Sequence, residues 1–181
     1  TTNMKRFSII LAVIGLVSIS NLNAQENTTD KIKWISYEEA VKLNETTPKK
    51  IIIDVYTEWC GWCTKMDQTT FIDPSVVKYI NENYHAVKLD AEQTEPIEFM
   101  GHTFVNQNPN GMRKGTHQLA QALLQGKMSY PSYVFMNEKN QALTVVPGYS
   151  KAEDFITILK YIGTDAFIHT TFEDFSKTQE Q

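Results

Sequence analysis

The run KKIIIDVYT, residues 49–57, constrains this chain more than any other stretch. It has strand length, is apolar and β-branched without alternation, and is bounded by Pro48 behind and by TEWCGWC ahead. A strand with no polar side predicts burial on both faces, the pattern of a central strand in an α/β sheet. Before it, KIKWIS predicts a short strand, and SYEEAVKLNE predicts a helix opened by a capping box of Ser36 and Glu39. After it come a helix from Cys60 to about Gln68, a second helix restarting at Pro74 with Asp73 as its cap, and a buried strand in HAVKLDA.

THQLAQALLQG then predicts an amphipathic helix capped by Thr116 and stopped at Gly126, followed by the strand PSYVFM, the turn NEKN and the strand ALTVV. Ser150 and Glu153 form a second capping box, opening a helix that ends at Gly163. The order βαβαβ followed by αββα predicts a mixed central sheet flanked by helices. Residues 91–115, rich in Asn, Gly and Pro, read as an insertion between the third strand and the following helix. Within it, IEF and TFV can pair as a hairpin, with Ile97, Phe99 and Phe104 as anchors and the Asn-rich turn outside. In the tail, 164–181, Ile168, Phe172 and Phe175 share one helical stripe, which predicts a partly helical segment docked on the domain with frayed last residues.

Ahead of this domain, Lys5 and Arg6 after Met4 precede the apolar run FSIILAVIGLVSIS, which leads to small Ala24. That is the pattern of a secretory signal peptide over residues 1–24, with Met4 as the start and a mature chain beginning near Gln25. The run falls short of the roughly 20 residues a spanning helix needs, so the mature form is expected not to span a membrane. No cysteine follows it to carry a lipid anchor. A net charge of −4 and a pI near 5.6 supply no basic stripe to follow a phosphate backbone, which argues against nucleic acid as a partner.

Both cysteines of the chain, Cys60 and Cys63, lie in TEWCGWC. A disulfide across so small a loop adds little chain-entropy stabilisation, so a structural staple is a poor explanation for it. A tetrahedral zinc site needs more ligands than one CxxC supplies; His85, His102, His117 and His169 show no paired spacing and read as surface or loop histidines, so no metal is expected. At the start of a helix, the free backbone N–H groups and the helix dipole favour a thiolate at Cys60. That position assigns Cys60 the attacking role, as the exposed sulfur, and Cys63, one turn deeper, the resolving role. A carboxylate inside an apolar strand is costly when charged and tends toward a raised pKa, so Asp54 is a candidate proton relay; the alternative places it at a strand end, capping a turn. Trp59 reads equally as a core aromatic or as a flat contact beside the cysteines, and Trp62, between them, is expected to be exposed.

From about Lys31 to Gly163 the chain resembles the thioredoxin-like family, the thioredoxin-fold domains of bacterial thiol:disulfide interchange proteins in particular. IIIDVYTEWCGWC is similar to that family's active-site strand and turn. Four further residues fall where the family has them: Asp54 six positions before Cys60, Lys88 in VKLD, Pro131 after Tyr130 in SYPSYVF, and Gly148 before the last helix. The resemblance implies a thioredoxin fold and a cis peptide bond at Pro131, with the Tyr130 backbone beside the disulfide and free to pair with a substrate strand. It implies that Asp54 assists Cys63 with Lys88 close by, and that Trp59, Gly61, Trp62, Tyr130 and Pro131 face the substrate. Trp62 departs from the family by replacing the Pro of CGPC and the His of oxidant and isomerase motifs.

These readings lead to an exported thiol:disulfide oxidoreductase, periplasmic or secreted, with no cofactor beyond the redox-active Cys60–Cys63 disulfide. Reduction of partner proteins is the favoured direction, because no imidazole lies between the cysteines to stabilise the thiolate further. Its expected partners are exported proteins carrying disulfides or thiols, with a membrane protein as electron donor. The alternative is a protein-binding or chaperone-like module of the same fold with little redox turnover.

Overall fold

The computed structural model describes residues 31–111 and 114–179; the expected signal peptide, residues 1–24, lies outside them. Along the chain run β1 (Trp34–Ile35), α1 (Tyr37–Leu43), β2 (Lys50–Tyr56), α2 (Gly61–Gln68), a 3₁₀ turn (Thr70–Ile72), α3 (Pro74–Asn83) and β3 (Tyr84–Asp90). They are followed by β4 (Ile97–Phe99), β5 (His102–Phe104), α4 (Gln118–Leu123), β6 (Ser132–Met136), β7 (Ala142–Pro147), α5 (Ala152–Gly163), a second 3₁₀ turn (Ala166–Ile168) and α6 (Phe172–Gln179). Five strands form one sheet in the order β1-β3-β2-β6-β7, with β4 and β5 a separate hairpin.

The KKIIIDVYT run is the central strand, parallel to β3 on one side and antiparallel to β6 on the other. Its two faces fill two cores. Ile51, Ile53 and Val55 join Val87, Leu89, Val134 and Met136 against Tyr37 and Ala40 of α1 and Leu119 and Ala120 of α4. Ile52 joins Ala86, Tyr133 and Phe135 against Met66 of α2, Val76, Val77 and Ile80 of α3, and Phe155, Leu159 and Ile162 of α5. Side chains alternate along a strand, so Asp54 shares the face of Ile52 and lies under α2. At the buried start of β2, the Lys50 ammonium is paired with Glu138 at 2.9 Å and Asp165 at 3.0 Å.

Several caps follow the sequence and several do not. Ser36 Oγ accepts from the Glu39 N–H, and Asp73 accepts from the N–H groups of Ser75 and Val76 with Pro74 in the first turn. The cap of α4, however, is His117 rather than Thr116: its Nδ1 accepts from the Leu119 N–H. His117 is fully buried, and its Nε2 lies 3.2 Å from the Glu95 carbonyl. It is thus no surface histidine, and burial lowers its pKa below the ordinary range. His85 is also largely covered, with Nε2 2.8 Å from the Thr47 carbonyl. The expected Ser150–Glu153 box is absent; the N-cap of α5 is Lys151, without a side-chain bond, and the Ser150 carbonyl instead accepts from Thr70 Oγ1 at 2.6 Å.

The insertion is built into the core. Its hairpin pairs Ile97 with Phe104 and Phe99 with His102, turning at Met100 and Gly101, both at positive φ. Ala91 and Ile97 are buried in the α1/α4 core, and Phe99 meets Tyr37 edge to face at 5.2 Å. Within the Asn-rich stretch, Asn106 is buried rather than outside: its amide donates to the Gly115 carbonyl at 2.6 Å, and its Oδ1 accepts from the Asn108 N–H. The tail docks through Tyr161, whose ring meets Phe167, Phe172 and Phe175. Ile168 departs from the expected stripe; it sits in the 3₁₀ turn and is exposed.

Phe71, in the 3₁₀ turn after α2, touches Trp34, Tyr133 and Phe155 edge to face at 5.2, 5.9 and 5.7 Å. Phe71→Ala is therefore expected to lower the unfolding free energy in urea by about 3–5 kcal/mol, and a loss below about 1 kcal/mol would place the ring outside the core.

Candidate functional site

Strand β2 ends at Tyr56, and the Cys60 N–H is held by the Thr57 carbonyl at 3.1 Å before α2 begins. Cys60 is the N-cap of α2: its Sγ takes the place of a capping oxygen and accepts from the Cys63 N–H at 3.1 Å. The two cysteines are joined as a disulfide with Cα atoms 5.3 Å apart. In this oxidised form both are nearly covered, with exposures of 5% and 4%; the expected exposure of Cys60 concerns the reduced dithiol. What separates the two sulfurs is the cap: only Cys60 Sγ receives a helix-start N–H. A Cβ added at Gly61 would meet nothing within contact distance, so the approach over the disulfide is open there.

Two exposed indoles flank the pair. Trp59 is 67% exposed, which removes the core reading; its Nε1 donates to Glu92 at 3.0 Å and its ring meets Tyr130 edge to face at 5.8 Å. Trp62 is 62% exposed and leans on Tyr149 at 5.5 Å. The Tyr130–Pro131 peptide bond is cis, Pro131 is buried, and its carbonyl accepts from the Gly148 N–H at 2.8 Å. Gly148 makes that contact at a φ of 92°, a conformation other residues rarely adopt. At the base of the insertion, Lys114 pairs with Glu58 at 3.3 Å, so both Glu58 and Trp59 are tied to the segment after β3.

Beneath α2, strand register sets up a polar row. Asp54 is paired with Lys88 of β3 on one side and with Tyr133 of β6 on the other. Asp54 is almost wholly covered and lies in the interior of β2, so it caps no turn. Its Oδ2 is 3.5 Å from Lys88 Nζ, and among the described residues nothing donates to Oδ1. Burial raises its pKa from the ordinary 3.8 to about 7, against the lowering pull of Lys88 and with a further raising push from Asp67. The Lys88 ammonium also touches Asp67 and lies over the rings of Trp34, Tyr56 and Phe71 at 5.2, 5.2 and 5.8 Å.

The structure thus sets Asp54 beside Lys88 in the strand that leads to Cys60 and Cys63, with Trp59, Gly61 and Trp62 next to the cysteines in the chain and Tyr130, which precedes Pro131, against Trp59. Sequence reasoning missed Asp67, Glu92 and Tyr149. Asp67 had a usable signal, since it follows Cys63 by four residues and so shares its helix face. Glu92 and Tyr149 are placed by loops, which carry no such period. Among the described residues, no group of three or more His, Cys, Asp or Glu is placed to hold a metal ion.

A mixed sheet whose central strand runs into a disulfide-capped helix, with a cis-proline just before the antiparallel neighbour of that strand, defines a thioredoxin-fold protein. Residues 37–163 match the family described as the thioredoxin-like domain, and the chain belongs to that family. Solved structures that share the fold include the following three. A thioredoxin-fold protein from Helicobacter pylori is 17% identical with a TM-score of 0.56, covering 74% of this chain and 86% of that one. The DsbH oxidoreductase is 20% identical with a TM-score of 0.55, covering 80% and 93%. A thioredoxin from Thermus thermophilus is 16% identical with a TM-score of 0.54, covering 73% and 87%. An uncharacterized Caenorhabditis elegans protein is 26% identical over 81 residues, 44% of this chain; the match spans only 11% of that protein's length.

The raised pKa of Asp54 has a consequence for stability. The folded protein keeps a proton there that the unfolded chain loses near 3.8, so this group's contribution is fully present below about pH 4 and is lost as pH rises through about 7. Asp54→Asn removes the titration. In urea unfolding of the oxidised protein, the variant is expected to gain on the parent by a few kcal/mol, in order of magnitude, between acid and mildly alkaline pH. Parallel stability curves for the two proteins would show that Asp54 titrates normally.

Proposed function

We propose that this chain is an exported thiol:disulfide oxidoreductase that reduces disulfides in partner proteins. The observation that carries the reading is the Cys60–Cys63 disulfide at the start of α2, above a buried carboxylate paired with Lys88. In the reduced protein, the Cys60 thiolate attacks one sulfur of the partner disulfide; a Cys60–partner bond forms, and the first partner sulfur leaves as a thiolate and takes up a proton. Cys63 then gives its proton to Asp54 and attacks Cys60 Sγ, which expels the second partner thiolate and closes the Cys60–Cys63 bond. Two electrons pass from the dithiol to the partner, and a dithiol donor, fed by a membrane protein, restores the reduced form. Export, to the periplasm or beyond the cell, rests on the N-terminal sequence pattern, and the reductive direction rests on the lack of an imidazole between the cysteines.

Trp59, Trp62 and Tyr130 supply the surface for the partner, whose backbone pairs at Tyr130 beside Pro131. The same two exposed indoles favour a second reading, a protein-binding module of this fold that holds partners with little turnover. One variant separates the two. Reduced Cys63→Ser lacks the resolving thiol, so it is expected to accumulate a mixed disulfide between Cys60 and exported proteins, resolved by mass spectrometry and lost on adding dithiothreitol. The parent should turn over a model protein disulfide under the same conditions. Binding without turnover by the parent, together with no adduct in the variant, would select the binding module.

A further inference from the structure

Lys88 stands between two carboxylates of different character. Asp54 is buried in the central strand, 3.5 Å from the ammonium, whereas Asp67 lies on α2 with its side chain 43% exposed and makes the closer contact. The rings of Trp34, Tyr56 and Phe71 confine the ammonium between them. Asp67 follows Cys63 by one helical turn, so the residue that competes for Lys88 lies on the helix face that carries the resolving sulfur. We propose that Asp67 is a positioning residue for the resolving step: it draws the Lys88 charge toward the helix and so keeps Asp54 from being locked as a neutralised ion pair. Among the described residues Asp67 is the one other carboxylate paired with Lys88, and the inference rests on the oxidoreductase reading above.

The chemistry needs this balance. A carboxylate fully paired with an ammonium is a weak base and a poor acceptor for a thiol proton, while one left wholly unpaired in an apolar strand stays protonated. Sharing Lys88 between two acids places Asp54 between these limits, consistent with Asp67 being among the groups that raise its pKa. The titratable groups facing Asp54 are Lys88 of β3, Asp67 of α2, Tyr133 of β6 and Tyr56 of its own strand. Of these, Lys88 and Asp67 form the ion pairs. Removing Asp67 therefore leaves Lys88 to Asp54 alone, and the sign follows: Asp54 becomes more acidic.

The test is carbon-13 NMR titration of the Asp54 carboxyl in the oxidised parent, Asp67→Asn and Asp67→Glu, with Asp54→Asn identifying the signal. In Asp67→Asn the midpoint is expected to fall by roughly one pH unit, and Asp67→Glu should return it toward the parent. The acid limb of the pH–rate profile for resolution of a Cys60 mixed disulfide should move down by the same amount. An unchanged or higher Asp54 midpoint in Asp67→Asn overturns the proposal, even where the parent turns over disulfides. Because the titration needs no turnover, a shift in Asp67→Asn together with a parent that reduces no disulfide would overturn the oxidoreductase reading and, with it, a role in resolution.

Discussion

Keeping a carboxylate out of water in the middle of a central strand costs several kcal/mol if it stays charged and alone, and the surroundings of Asp54 are organised around that cost. Position in the sheet supplies the counter-charge. Parallel pairing of β2 with β3 sets Lys88 directly opposite Asp54, and the side-chain alternation of both strands puts the pair on one face, under α2. A one-residue slip of β3 would send Lys88 to the other face and leave the acid unpaired. The two Ile-rich cores therefore do more than hold the sheet: by fixing its register, they fix the distance between a carboxyl group and its counter-charge. The three rings around Lys88 belong to β1, β2 and the turn after α2, so the ammonium is confined by packing from three elements.

The disulfide draws on the same strand differently. Its loop is too small to stabilise the fold much through chain entropy. Its place is set by β2 delivering Cys60 to the exact start of a helix, where the sulfur accepts a backbone N–H in the oxidised form and the same N–H groups favour a thiolate in the reduced form. The cap, rather than exposure, distinguishes the cysteines, because both are nearly covered.

Much of this was legible in the sequence. The uninterrupted KKIIIDVYT run identified the central strand, an acid inside it marked Asp54, and Pro74 with Asp73 marked the start of α3, because each is a local rule of burial or capping. The failures were of another kind. Thr116 and Ser150 have the right chemistry for caps, but tertiary contacts overruled them: a buried His117 ring took the first position, and Thr70 claimed the Ser150 carbonyl from 80 residues away. Ile168 fits the tail's period only if the helix is continuous, and residues 169–171 separate the 3₁₀ turn from α6. Asp67 was overlooked because its importance depends on which strand residue lies beneath it, and register is not a local property.

The insertion shows how a segment can be both core and site. Ile97 and Ala91 seal the face of β2 opposite Asp54, and the buried Asn106 amide ties the return of the loop to its start through the Glu92, Gln93 and Gly115 carbonyls. That clamp holds the backbone of Glu92, and the Glu92 side chain in turn accepts from the Trp59 indole next to Cys60. A path of packed and hydrogen-bonded groups thus runs from the floor of the insertion to the rim of the disulfide. Exposed ion pairs such as Lys114–Glu58 contribute little to stability, about 0–1 kcal/mol at most, so the orientation of Trp59 depends on the clamp and on Tyr130 more than on surface charge. The sequence that departs most from a minimal fold therefore reaches the rim of the disulfide through its buried Asn106, with the Asn108 backbone held between Asn106 and Gly115.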